Sequence, residues 1–133
     1  RAVRADKLCL AALSATLAHY LKDEAELQVP IWRMIAAPPE ELRQRAQAWA
    51  NRLGDGEVIA AQSTVGGGSL PDESLPGFVL ALNKRSPNRF LERLRRLSPP
   101  VIARLENERV LFDPRTVLPE QDDLLIAALR QLT

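Results

Sequence analysis

Gln62-Ser-Thr-Val-Gly-Gly-Gly-Ser-Leu-Pro71 interrupts two β-type runs, Glu57 to Thr64 before it and Gly77 to Leu82 after it. A plain hairpin needs only two turn residues, so this connection is unusually long and glycine-rich. Gly66, Gly67 and Gly68 tolerate positive φ and let a backbone or ligand approach closely, at a cost in chain entropy. A wide turn or bulge is one use for them, and a ligand approach is the other. No lysine follows at phosphate-loop spacing and no GxGxxG is present, so the glycines do not make a nucleotide loop.

Outward from this loop, the pattern alternates between helix and strand. A helical apolar stripe of Leu8, Ala11, Ala12, Leu17 and Leu21, with Leu10 and Leu13 beside it, predicts a helix from about Asp6 to Leu21. Asp23-Glu24 and then Pro30 stop it, and Val29 to Ile35 reads as a short apolar connector. Pro38-Pro39-Glu40-Glu41 starts a second helix whose buried face is Leu42, Ala46, Trp49 and Leu53, capped by Gly54. Ser86-Pro87 opens a third helix with Phe90, Leu91, Leu94 and Leu97 facing inward. Val101 to Glu106 and Arg109 to Asp113 flank Asn107-Glu108 as a hairpin, and Pro119-Glu120 opens a last helix. The order α-α-β-β-α-β-β-α predicts an α+β fold: a mostly antiparallel sheet of about four strands with helices on one face. The second sheet face and parts of the first helix are left free to dock.

A chain of 133 residues, 46% hydrophobic, is long enough for one compact core. Eighteen basic and seventeen acidic residues leave +1, which gives no broad nucleic-acid footprint. Cys9 cannot form an internal disulfide, and Cys9 with His19 cannot make a metal site, so a reducing compartment and no metal are expected. No run is apolar enough to span a bilayer. The chain begins with Arg1 rather than Met and its helical pattern is running by Leu8, which reads as a piece of a longer protein.

Cys9 is expected to be a small buried side chain, His19 a cap or surface group, and Trp32 and Trp49 core anchors. Asp55, Glu57, Asp72 and Glu73 sit on turn-like segments where solvated carboxylates are ordinary. Four arginines stand out. Arg1 and Arg4, three apart at a helix start, form either a solvated terminus or a pair of guanidinium forks that grips an oxyanion. Arg104 sits in a strand whose neighbours Val101, Ile102 and Leu105 look buried, and Arg115 follows Asp113-Pro114 at a strand end. Each suits an internal ion pair or a ligand carboxylate.

Five blocks carry a resemblance. They are Arg1-Ala-Val-Arg-Ala-Asp-Lys-Leu8, Trp32-Arg-Met-Ile35, Ser63-Thr-Val-Gly-Gly-Gly-Ser-Leu-Pro71, Pro100-Val-Ile-Ala-Arg-Leu105 and Leu111-Phe-Asp-Pro-Arg-Thr-Val117. In this order they resemble the C-terminal part of the bacterial selenocysteine synthases, the L-seryl-tRNA(Sec) selenium transferases. The family usually shows glycine where Ala103 stands and often leucine where Pro114 stands. The resemblance implies a fold-type-I pyridoxal-phosphate enzyme. Residues 1–25 would be a helix ending the large catalytic domain, and 26–133 the small C-terminal α+β domain. It implies conversion of seryl-tRNA(Sec) to selenocysteinyl-tRNA(Sec), with selenophosphate as selenium donor and pyridoxal 5'-phosphate as electron sink.

By the same resemblance Arg1 and Arg4 match the catalytic arginines that hold the selenophosphate-like anion. Arg104, Arg115 and Gly66 to Gly68 match family positions near substrate. The Schiff-base lysine lies upstream of the block at Arg1, Lys7 is not it, and no cofactor-binding residue falls in this stretch. The stretch by itself should be inactive, and the whole protein a cytoplasmic homo-oligomer, not membrane-bound. Two other assignments stay open: the small domain of another fold-type-I enzyme acting on a free amino acid, and a non-catalytic interaction module.

Overall fold

A computed structural model describes residues 5–66 and 73–132. The chain falls into two compact units, 1–36 and 37–133.

The first unit is helical. Helix α1 (Lys7–Leu21) starts at Asp6, whose carboxylate accepts from the Cys9 backbone N–H at 2.8 Å; that bond holds its pKa below the ordinary aspartate value. Helices α2 (Ala25–Gln28) and α3 (Pro30–Ala36) follow. The expected connector at Val29 to Ile35 is therefore mostly helix. Proline is tolerated in the first turn of a helix, where its missing N–H would have had no partner. Val29 takes the extended conformation that a following proline favours.

No residue of α1 is buried: Leu8 is 82% exposed and Leu21 90%. Cys9 is exposed as well, which overturns the expectation of a buried thiol. Trp32 is also exposed and donates to the Tyr20 hydroxyl instead of anchoring a core. The periodicity gave the helix correctly but not a partner for its apolar side chains. His19, half-buried, hydrogen-bonds through Nδ1 to Glu24 Oε1 at 2.9 Å and ties the end of α1 to the start of α2.

The second unit is the α+β layer that the pattern predicted. Helix α4 (Pro39–Leu53) carries Glu40 and Glu41 in its first turn and ends on Gly54 in the left-handed conformation. Strands β1 (Glu57–Thr64), β2 (Ser74–Asn83), β3 (Arg104–Glu106) and β4 (Arg109–Phe112) form one antiparallel sheet in the order β1-β2-β4-β3. Helix α5 (Pro87–Arg95) joins β2 to β3, and α6 (Asp122–Arg130) closes the unit after two short 3-10 turns at Pro114–Thr116 and Pro119–Gln121. Ser86 precedes α5 as expected, but its side chain makes no capping bond.

Strand β2 begins three residues earlier than expected and contains Pro76, paired with Gln62. Proline survives there because β4 pairs β2 only from Leu80 onward, so the other edge of β2 at Pro76 has no strand beside it. At the β3–β4 turn, Asn107 and Glu108 both have positive φ, 48° and 62°, as a two-residue type I′ hairpin requires.

The main core lies between one sheet face (Leu80, Leu82, Val110, Phe112) and the three helices, through Trp49, Phe90, Leu94, Ile126 and Leu129. Gly56, at φ 99°, sits at its rim. A Cβ there would come within 2.6 Å of both Leu80 Cδ1 and Leu82 Cδ2, so only glycine fits.

The opposite sheet face was expected to be open. Instead Val79, Ala81 and Leu111 are buried, with Ile59 and Ala61 against them. Two side-chain bonds explain how. Ser63 Oγ donates to Asp113 Oδ2 at 2.6 Å, and Arg104 donates to Gln62 O at 2.9 Å. They join β1 to the β3–β4 hairpin although β2 lies between them in the sheet. Flat strands about 4.8 Å apart could not meet across two neighbours, so the sheet curls over a second, smaller core.

Candidate functional site

Where β1 curls onto the β3–β4 hairpin, a cavity of about 590 Å³ opens. Its walls are the end of β1 (Ser63, Thr64), the segment Pro99 to Arg104, the end of β4 (Leu111 to Asp113), and Thr116 to Leu125 in part. The lining is mainly apolar, with Ser63, Thr64, Arg104, Asp113, Thr116 and Gln121 as its polar side chains.

The polar groups are mostly committed. Asp113 accepts from Ser63 through one oxygen and from the Arg115 backbone N–H, at 2.9 Å, through the other. Arg104, besides its bond to Gln62 O, lies 3.5 Å from Glu106 Oε2 and keeps part of its side chain in solvent. No histidine lies in this unit, so the Ser63–Asp113 pair lacks the base that would activate a hydroxyl. The arrangement can hold a partly apolar ligand against a guanidinium. Among the described residues no group of three or more His, Cys, Asp or Glu could hold a metal.

The structure treats the candidate residues differently. Arg104 lines the cavity, but its strand β3 is short and lies on the sheet edge: Ile102 is 75% exposed and Leu105 37%. The expected buried surroundings are thus corrected for Ile102 and Leu105, while Val101 is half-buried against the main core; an edge strand covers only one side of its residues.

Arg115 is 6% exposed and does not line the cavity. Its guanidinium donates to Pro76 O at 2.8 Å and Ala37 O at 3.2 Å, and takes up the edge of β2 that β4 leaves free. Burial pulls its pKa down, and the neighbouring Asp113 carboxylate opposes that shift. Gly66 has φ 68°, as expected of at least one of the three glycines, and open space around its Cα. Gly67, Gly68, Arg1 and Arg4 lie outside the described residues.

Sequence reasoning missed Arg45. From α4 it donates to Pro114 O (2.8 Å) and Val117 O (2.9 Å), pairs with Asp122 at 2.5 Å, and lies 5.5 Å from the Trp49 ring centroid. It fixes the segment between β4 and α6, and so one wall of the cavity. Its i, i+4 spacing to Trp49 was the only local signal; the partners lie about seventy residues away and are invisible in sequence.

An α+β unit with a curled four-stranded sheet and a cavity at its edge is a scaffold that many proteins share. The comparisons narrow it. The model of the L-seryl-tRNA selenium transferase family matches residues 1–118, and the chain belongs to that family. It is 40% identical, over 99% of its length, to an L-seryl-tRNA(Sec) selenium transferase of Geobacter sulfurreducens, covering 31% of that protein. Proteins of the same name from Nitratidesulfovibrio vulgaris and Carboxydothermus hydrogenoformans are 40% and 35% identical over 98% and 92% of the chain. The chain spans about 30% of the length of these curated relatives. The matches lend nothing to a free-amino-acid enzyme or a non-catalytic module.

Proposed function

We propose that the chain is the C-terminal portion of a pyridoxal-phosphate-dependent selenium transferase that makes selenocysteinyl-tRNA(Sec) from seryl-tRNA(Sec) and selenophosphate. The observation that carries this is the family match across residues 1–118, with relatives bearing that name at up to 40% identity. Residues 1–25 then belong with a large catalytic domain and 26–133 form the small domain. The whole protein is a cytoplasmic homo-oligomer. No described helix is long and apolar enough to cross a membrane.

The lysines of this stretch do not fit the cofactor. Lys84 is paired with Asp55 at 2.8 Å, Lys22 lies 3.8 Å from Glu24, Lys7 stands exposed at the start of α1, and none lines the cavity. Residues outside this stretch must therefore hold pyridoxal phosphate.

What this chain supplies is orientation and charge. Arg1 and Arg4 hold the selenium donor's anion by paired guanidinium forks, placing it for transfer. Gly66, Gly67 and Gly68 serve the substrate in this reading, as their match to family positions near substrate implies. Arg104 bonds Gln62 O of β1 and Arg115 bonds Pro76 O of β2, the two strands on either side of that segment.

The test is Arg4→Ala in the full-length enzyme. Selenium transfer should fall about 100- to 1000-fold, as when an anion-stabilising donor is removed, while the cofactor's absorbance band is kept. Unchanged turnover would remove Arg4 from the site.

A further inference from the structure

Between Lys84 and Arg96 the chain holds six basic residues (Lys84, Arg85, Arg89, Arg93, Arg95, Arg96) against the single acid Glu92, a local charge of +5 in a chain whose total is +1. Helix α5 buries Phe90, Leu91 and Leu94, and the i, i+4, i+7 spacing sets Arg89, Arg93 and Arg96 together on the side away from the core. Arg85 stands in the bend leading into the helix, and all five arginines are exposed.

Elsewhere in the second unit most arginines are paired with carboxylates, and Arg115 and Arg130 donate to backbone carbonyls. Arg43, Arg45, Arg52, Arg104 and Arg109 each lie beside a carboxylate. On this surface Lys84 is taken by Asp55 and Arg96 by Glu92. Arg85, Arg89, Arg93 and Arg95 make no ion pair with any described residue.

Helix stability does not explain them all. Arg93 and Arg95 sit in the last turn, where the helix dipole favours a cation. Arg89 sits in the first turn, which has no acidic residue, and Arg85 precedes it; the dipole disfavours both. Four exposed arginines without ion pairs, on and beside one short helix that holds the single acid Glu92, suit a polyanion. Each guanidinium fork can bind a phosphate with two hydrogen bonds.

We propose that the outer face of α5, with Arg85, Arg89 and Arg93 at its centre, binds the sugar–phosphate backbone of the tRNA substrate without reading its bases. This rests on the functional assignment above for the identity of the RNA. Three contacts of this kind release counter-ions and should steepen the salt dependence of binding.

The experiment measures binding of the full-length protein to a transcribed tRNA(Sec) from low to moderate salt. The protein carries Arg85→Ala, Arg89→Ala and Arg93→Ala together. The slope of log affinity against log salt should fall by about 2 to 3, at the rule of roughly 0.7–0.9 per phosphate contact. Affinity near physiological salt should weaken about 10- to 100-fold, with an unchanged melting temperature. The triple lysine variant should keep the slope, because it keeps the point charges.

An unchanged slope in the alanine variant overturns the proposal. So does loss of binding to phosphatidylserine vesicles while tRNA binding stays intact, which would assign the face to a membrane. Selenium transfer by the unmodified enzyme is measured in parallel. A reduced slope with no transfer activity would sink the functional assignment and keep the RNA surface; activity with an unchanged slope would do the reverse.

Discussion

Helices α1 and α4 are each fifteen residues long, and they meet opposite fates. In α4 the apolar residues fall on one side, charged residues fill the other, and Leu42, Ala46, Trp49 and Ala50 are buried. In α1 leucines gather on one side while Leu8, Cys9 and alanines occupy much of the rest, and nothing is buried. An amphipathic helix carries in its own sequence the direction of its core. A helix apolar all round states only that it should be surrounded, and its surroundings must come from other chain segments. The exposed leucines of α1 fit the proposal that this helix belongs with a larger domain.

The comparison breaks most readily at Trp49. Trp49→Ala should destabilise the second unit by about 3–5 kcal/mol, read by urea unfolding, because it empties the space between α4 and the sheet. A change below about 1 kcal/mol would mean that α4 is not the organising helix.

Arg45 comes next. Arg45→Met removes a largely buried guanidinium and strands Asp122 and two carbonyls, so a loss of about 2–3 kcal/mol is expected. The same variant with Asp122→Asn should recover part of it. If the double variant is as unstable as the sum of the singles, the clamp is not a coupled unit.

Helix α1 sharpens the contrast from the other side. Leu13→Ala should change the unfolding of the 133-residue chain by no more than about 0.5 kcal/mol, since Leu13 is exposed. Cys9 should react with a thiol reagent as an accessible thiol in this chain and more slowly in the full-length protein. Equal rates in both would leave α1 uncovered in the enzyme and separate it from the catalytic domain.

The smallest effect concerns Asp55. Its hydrogen bond to Lys84, and less strongly the Gly56 backbone N–H, hold its pKa below the ordinary aspartate value, and the pair ties the end of α4 to the end of β2. A lowered folded-state pKa adds stability above the unfolded aspartate pKa of about 3.9, and this is lost as pH falls through the folded value. The pair is half exposed, so Asp55→Asn should cost a few tenths of a kcal/mol at neutral pH, and the difference from the parent should vanish in acid. A difference that persists below the folded-state pKa would assign the effect to packing.

Much of this was legible in the residues. Pro39 with Glu40 and Glu41, the buried stripe ending at Leu53, and Gly54 specified α4 by local rules. The Asn107-Glu108 turn specified the β3–β4 hairpin, and the blocks from Arg1 to Val117 specified the family. Less legible were the features made by distant contact. Val29 to Ile35 reads as a connector in sequence because a proline can begin a helix as well as end one. Arg104 and Arg115 had similar prospects in the sequence. One came to line a cavity on an edge strand, and the other became a buried clamp on a free strand edge.

The sequence alone determined the periods, the caps, the turn residues and the order of elements, because each rests on interactions within a few residues. It also held the arginines of α5 in plain view, although an overall charge of +1 concealed them by averaging. Only the tertiary structure decided which arginines found carboxylates, which face of the sheet closed, and where the cavity lies. Those outcomes depend on the sheet's curl and on bonds such as Ser63 to Asp113, whose partners are fifty residues apart and meet only when the whole unit has folded.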